Sequence, residues 1–202
     1  MTKATTDMTR RSVLSALGFG VLVSGCASSA PSAYYGLDTV DAGGGFTGRS
    51  SGVQVLVTAP RALKALDTSH IAVVDQGPIY SYFPNSAWAD TLPNVVQAKL
   101  AQTLQDTGRL RGVGLPGEGL LIDYQLQTEI RSFELRVDGA SRGFVEIFAR
   151  VVNDRNGRTV ATKVFSAQTP SGGTSVDQAV EAMNASADRV FTEITAWTLQ
   201  NV

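Results

Sequence analysis

The 202-residue chain sets 17 basic against 18 acidic residues and is 43% hydrophobic, which suits one globular unit and lacks the basic excess of a nucleic-acid binder. A single Cys and a single His rule out a disulfide within the chain and leave no N/S ligand set for zinc.

Residues 1–25 have the three parts of an export signal: basic Arg10-Arg11, an apolar run over 13–23, and small residues before Cys26. The run is roughly half the ~20 residues that cross a bilayer, so it reads as a leader rather than a permanent span. Val23-Ser24-Gly25-Cys26 resembles the lipobox of bacterial lipoproteins, in which the thiol takes diacylglycerol and the chain is cut before it. Lipidation of Cys26 is therefore expected, and the several acyl chains of such an anchor hold where a single one does not. Thr9-Arg10-Arg11-Ser12 also resembles the twin-arginine signal, and Met8 offers a second start with a complete leader. The remaining basic residues are scattered singly, so membrane contact is expected from the anchor rather than from charge. Residues 26–33, small and polar, read as a flexible tether, and 34–202 as the one domain.

Along that domain, Tyr34-Tyr35-Gly36-Leu37 reads as a short strand, 41–52 as a glycine-rich loop, and the alternation of Val53, Val55 and Val57 as a strand ending at Pro60. A turn and short helical piece is expected over 61–66, then a hairpin of 71–74 and 79–83 about Asp75-Gln76-Gly77-Pro78. The first long helix should begin between 86 and 91, hold Pro93 in its first turn, bury Leu92, Val95, Val96, Leu100 and Leu104, and stop before Gly108. Residues 108–119 read as a glycine-rich connection to the longest strand. There Leu126, Thr128 and Ile130 share one parity and Phe133, Leu135 and Val137 the other, which places a β-bulge at Arg131-Ser132. Strands 144–152 and 159–167 follow, joined through Asn156-Gly157, and Ser175 with Gln178 caps a final helix. That helix carries an apolar stripe through Val176, Val180, Met183, Ala187, Val190, Ile194 and Trp197. The expected fold is α+β, a mainly antiparallel sheet in a single domain with two long helices packed on one face.

Chemical motifs are weak. Gly139-Ala140-Ser141-Arg142-Gly143 has the spacing of a nucleophile elbow, but a strand follows it where a helix is needed, and His70 precedes the serine instead of following the acid. Residues 43–48 and 112–117 fit G-x-G-x-x-G without the strand-to-helix context that cradles a pyrophosphate, and read as loops. Asp38 and Asp41 read as solvated. No catalytic residue, metal site or cofactor is expected, and Ser141, His70 and Asp123 are assigned no role. Trp88 reads as a core anchor or as a partner contact, and the loop residues Arg49, Arg111 and Arg155 are candidates for recognition.

Taken in order, the lipobox, Tyr34-Tyr35-Gly36-Leu37, Val57-Thr58-Ala59-Pro60, Ser86-Ala87-Trp88-Ala89-Asp90-Thr91-Leu92-Pro93, Ile130-Arg131-Ser132-Phe133-Glu134 and the Asn156-Gly157 hairpin resemble the ABC-type transport auxiliary lipoprotein family. The resemblance implies a non-catalytic accessory subunit that holds no nucleotide. It would serve a lipid transporter in which an inner-membrane ATPase drives a periplasmic tunnel protein of the mammalian-cell-entry type. It also implies a homo-oligomer anchored to the periplasmic face of the outer membrane, with which Ala27 after Cys26, in place of a retaining Asp, agrees. The competing expectation is an outer-membrane lipoprotein that activates a cell-wall synthase.

Overall fold

The computed structural model describes residues 30–38, 46, 48 and 50–202; the leader, Cys26 and Arg49 lie outside the described residues. Eleven elements follow in order: β1 (Ala33–Tyr35), β2 (Ser51–Val57), β3 (Arg61–Ala62), β4 (His70–Val74), β5 (Tyr80–Trp88), α1 (Leu92–Asp106), β6 (Leu110–Gly114), β7 (Tyr124–Arg136), β8 (Arg142–Asn153), β9 (Thr159–Pro170) and α2 (Val176–Asn201). The expected succession of strands and two long helices is present, extended by the short strands β3 and β6.

All nine strands form one sheet organised about β7. One edge of β7 carries β8 and then β9, both antiparallel. Its other edge is shared in succession by β2, β3 and β4, all parallel to it. β6 extends the sheet beyond β2, and β5 then β1 extend it beyond β4. Five of the eight pairings are therefore parallel, and the expectation of a mainly antiparallel sheet is corrected to an open, mixed one. Tight turns force antiparallel pairing only at β4–β5, β7–β8 and β8–β9. The other strands meet partners far away in the chain, which alternation does not reveal.

The bulge appears where the parity change puts it: the β7–β8 register slips between Ile130 and Ser132, so Leu126 and Ile130 before it and Phe133 and Leu135 after it all face the core. Residues 61–66 hold β3 and a turn closed on the Leu63 carbonyl instead of a helical piece. Residues 108–119 contain β6. Its Gly112 lies beneath the Gln54 side chain and its Gly114 against Leu120, so these glycines serve close packing within a strand, not a loop.

β5 runs on through Trp88, so the first helix starts later than the earliest expected residue, with Thr91 as N-cap and Pro93 in the first turn. Asp90 holds that start by accepting from the Thr91 N–H at 2.6 Å and from Asn94 Nδ2 at 3.1 Å. α2 begins as expected, with the Ser175 hydroxyl accepting from the Gln178 N–H. α1 packs against β2 and β6, α2 against β7, β8 and β9, and the two helices touch. Between helices and sheet lies one core that includes Val55, Leu100, Phe133, Ile147, Met183 and Ile194.

The closest approach is at Gly143, where an added Cβ would strike the α2 backbone at Ala182 and Met183. The Ser186 hydroxyl donates to the Gly143 carbonyl at 3.0 Å and seals the contact. The last glycine of the elbow-like motif is thus required by helix packing.

Candidate functional site

The structure does not bring the elbow-like serine and the histidine together. His70 opens β4, its Nδ1 2.7 Å from the Thr68 hydroxyl and its ring beside Tyr82, whereas Ser141 lies in the turn beyond the far end of β7, to which β4 runs parallel. Among the described residues no three His, Cys, Asp or Glu side chains gather to hold a metal ion. No described helix is long and apolar enough to cross a membrane.

Trp88 is 1% exposed and meets Phe133 edge-on, with ring centroids 5.6 Å apart. Its indole N–H has no hydrogen-bond partner among the described residues, so the ring contributes by volume.

Polar organisation lies elsewhere, in three places. At one end of the sheet Asp123 is a clamp: Oδ2 accepts from the Gln54 N–H at 3.0 Å, Oδ1 accepts from Arg155 at 2.7 Å, and Arg111 stands 3.6 Å from Oδ2. These bonds, the Gln54 N–H first, hold its carboxyl below the usual Asp range. The residue assigned no role is thus the one that ties β2, β6 and the β8–β9 hairpin together, and two of the three candidate recognition arginines are spent on it.

The second place is the sheet face that carries no helix. Arg131 lies over the Phe148 ring at 5.0 Å and Arg136 over Phe144 at 3.7 Å. Arg136 Nε donates to Glu134 at 3.0 Å, and the Phe133 N–H donates to the other oxygen at 2.7 Å. Glu134 is 1% exposed, and burial pushes its carboxyl above the usual range against the opposing pull of Arg136. Where β2 hands over to β3 an open depression of about 330 Å³ lies between Arg61, Gln127, Glu129, Phe148 and Arg150. Arg150 is fixed there by two bonds to Gln127 Oε1, at 2.6 and 3.1 Å. Nothing in it pairs a nucleophile with a base; oriented guanidinium groups beside aromatic rings are recognition chemistry.

The third place is the chain's entry. Ser32 donates from both its N–H and its hydroxyl to the Asn85 carbonyl, each at 2.9 Å, and Asn85 holds a left-handed φ of 55°. Tyr35 then donates to Asp177 in the first turn of α2 at 2.6 Å. Residues 32 and 33, read as tether, already belong to the fold.

A family model for the ABC-type transport auxiliary lipoprotein component matches residues 35–195, from the pinned strand through most of α2. The chain belongs to this family. The auxiliary lipoprotein is similar in structure to a Xanthomonas campestris protein of the DUF330 family, with a TM-score of 0.74, 22% identity, and coverage of 84% of this chain and 94% of that one. It also resembles a hypothetical protein from Chlamydia trachomatis, with a TM-score of 0.52, 12% identity, and coverage of 75% and 98%. In sequence it is 29% identical over 145 residues to an uncharacterised protein of Bradyrhizobium diazoefficiens, across 71% of this chain. The match spans only 38% of that longer relative. Family membership marks the chain as an auxiliary lipoprotein of the ABC-type transport class.

Proposed function

We propose that this lipoprotein is anchored through lipid on Cys26 to the periplasmic face of the outer membrane. There it serves, as a homo-oligomer and without catalysis, an ABC lipid transport system of the mammalian-cell-entry type that maintains the outer membrane. The observation that carries the reading is the family match from Tyr35 to Thr195, which takes in α1, the long strands and most of α2. The polar groups support a binding role: they are spent on clamping strands and orienting arginines on an open sheet face. Contact with the tunnel protein is made by that face, with its depression at Arg61 and Arg150.

Affinity purification of the full chain from membranes tests the assignment. A mammalian-cell-entry protein is the expected companion; a penicillin-binding protein in its place would establish the cell-wall reading. Cys26→Ala, secreted through a leader cut by another peptidase, should leave the domain folded and move it to the soluble fraction. Ser141→Ala should leave outer-membrane barrier function intact, and its loss with folding preserved would overturn the non-catalytic role.

A further inference from the structure

We propose that the depression where β2 hands over to β3 is an anion site, in which Arg150 grips a side-chain carboxylate from an acidic segment of a partner protein. The motive is one unbalanced charge. On the helix-free face Arg61, Arg131, Arg136 and Arg142 each meet a carboxylate, at 3.2, 3.5, 3.0 and 2.9 Å. Among the described residues the half-buried Arg150 meets none, and its hydrogen bonds go to the neutral amide of Gln127.

A cation drawn partly out of water without a counter-charge costs stability. Gln127 gives this one a direction without cancelling its charge. Its Oε1 accepts from Nε and Nη2 at 3.1 and 2.6 Å, which leaves Nη1 and the outer N–H of Nη2 for a ligand. A glutamate at 127 would have closed the pair within the sheet, because residues 127 and 150 lie directly opposite each other across β7 and β8. Arg61, also in the lining, is 75% exposed and held by a single contact to Glu129, so it can turn onto the same ligand. The lining sets these two guanidinium groups against the one carboxylate of Glu129, whose other oxygen already faces Arg131.

The chemistry of the lining selects the ligand. The end-on pair of N–H groups that Gln127 leaves free matches a planar carboxylate. A phosphate monoester, with more than one negative charge, is opposed by Glu129 in the wall. A lipid headgroup would bring acyl chains that find no cover, since the depression is open and Ala59 and Phe148 are the only apolar side chains lining it. An acidic side chain on a folded partner arrives with its own cover. The inference deepens the contact assigned above to this face and rests on that reading for the partner's being a protein.

Fluorescence anisotropy of a labelled oligoglutamate peptide, titrated with the full chain in nonionic-detergent micelles, tests the site. Arg150→Gln should weaken binding about ten-fold or more, as for loss of a hydrogen-bonded ion pair. Gln127→Leu leaves every charge in place and should still weaken it about three-fold or more, by releasing the guanidinium from its aim. Arg189→Gln removes an exposed charge from α2 and should change binding by less than about two-fold. Matched melting curves establish that each variant is folded. The gap between the parent and Arg150→Gln should persist when inorganic phosphate replaces chloride at equal ionic strength, and when phosphatidylglycerol is doped into the micelles. Its collapse in either medium would give the site to a phosphate group and overturn the proposal. Equal weakening by Arg150→Gln and Arg189→Gln, or unchanged binding in Gln127→Leu, would overturn it too. Co-purification decides the transporter assignment separately: peptide binding without a mammalian-cell-entry companion strikes only that assignment, and the companion without peptide binding strikes only this inference.

Discussion

The two faces of the sheet do different work with similar strands. Along β8, Gly143, Val145, Ile147, Ala149 and Val151 alternate toward the helices and vanish from solvent, while Phe144, Glu146, Phe148 and Arg150 alternate toward the open side. The covered face is a problem of volume, solved by a glycine where α2 comes closest. The open face is a problem of charge, solved by laying guanidinium groups on rings and by giving Glu134 its own arginine. Substitutions on the first should register as lost packing at any pH, and those on the second should depend on ionisation.

The largest effect is expected at Trp88: truncation to Ala should cost about 3–5 kcal/mol, as for other buried aromatic residues, read by denaturant unfolding. Trp88→Phe should recover most of it, because the indole N–H has no partner to lose. Gly143→Ala comes next, at about 1–3 kcal/mol from forcing α2 off the sheet.

Arg136→Met sharpens the contrast from the other side. It strands the Glu134 carboxylate, whose pKa in the fold is already raised. A carboxyl with a raised pKa loses stability as pH climbs from its unfolded value through its folded one, so the variant should be more damaged at pH 7 than at pH 5. Equal damage at both pH values would reduce the open face to packing as well.

The smallest effect belongs to Asp123→Asn. The depressed Asp123 carboxyl contributes stability that is present above its unfolded pKa and lost as pH falls through the folded value. The variant should therefore lose a small stabilisation at neutral pH, loosen amide protection around Arg111 and Arg155 there, and draw level with the parent as pH falls below the usual Asp range, flattening its acid unfolding.

What the chain declares locally could be read locally. The parity change at Arg131 marks its own bulge, Asn156-Gly157 its own hairpin, and Ser175 its own helix start. What depends on distant neighbours stayed hidden. Gly112 and Gly114 look like loop residues until Gln54 and Leu120 are seen over them. Asp123 looks idle until the fold delivers Gln54 from one side and Arg155 from the other. Alternation says which face a residue takes and nothing about which strand lies alongside, so β2, β3 and β4 stacking in parallel along one edge of β7 left no trace in the pattern. The Arg61–Arg150 depression was missed for the same reason, since its sides come from β7, β8 and the step between β2 and β3.

The short strand at the chain's entry has a mechanical consequence. With lipid on Cys26, the first residue gripped by the domain is Ser32, and the span between them reaches about 20 Å at full stretch. Only three residues of β1 lie along β5, and the grip is completed by Ser32 on Asn85 and Tyr35 on Asp177. Under tension from the membrane this strand is the first to peel, and the next firm hold is Leu37, buried in the core. Peeling lengthens the leash to about 35–40 Å while β7, β8, β9 and both helices stay in place. The auxiliary domain then has two standing distances from its membrane, set by whether one short strand is zipped or free.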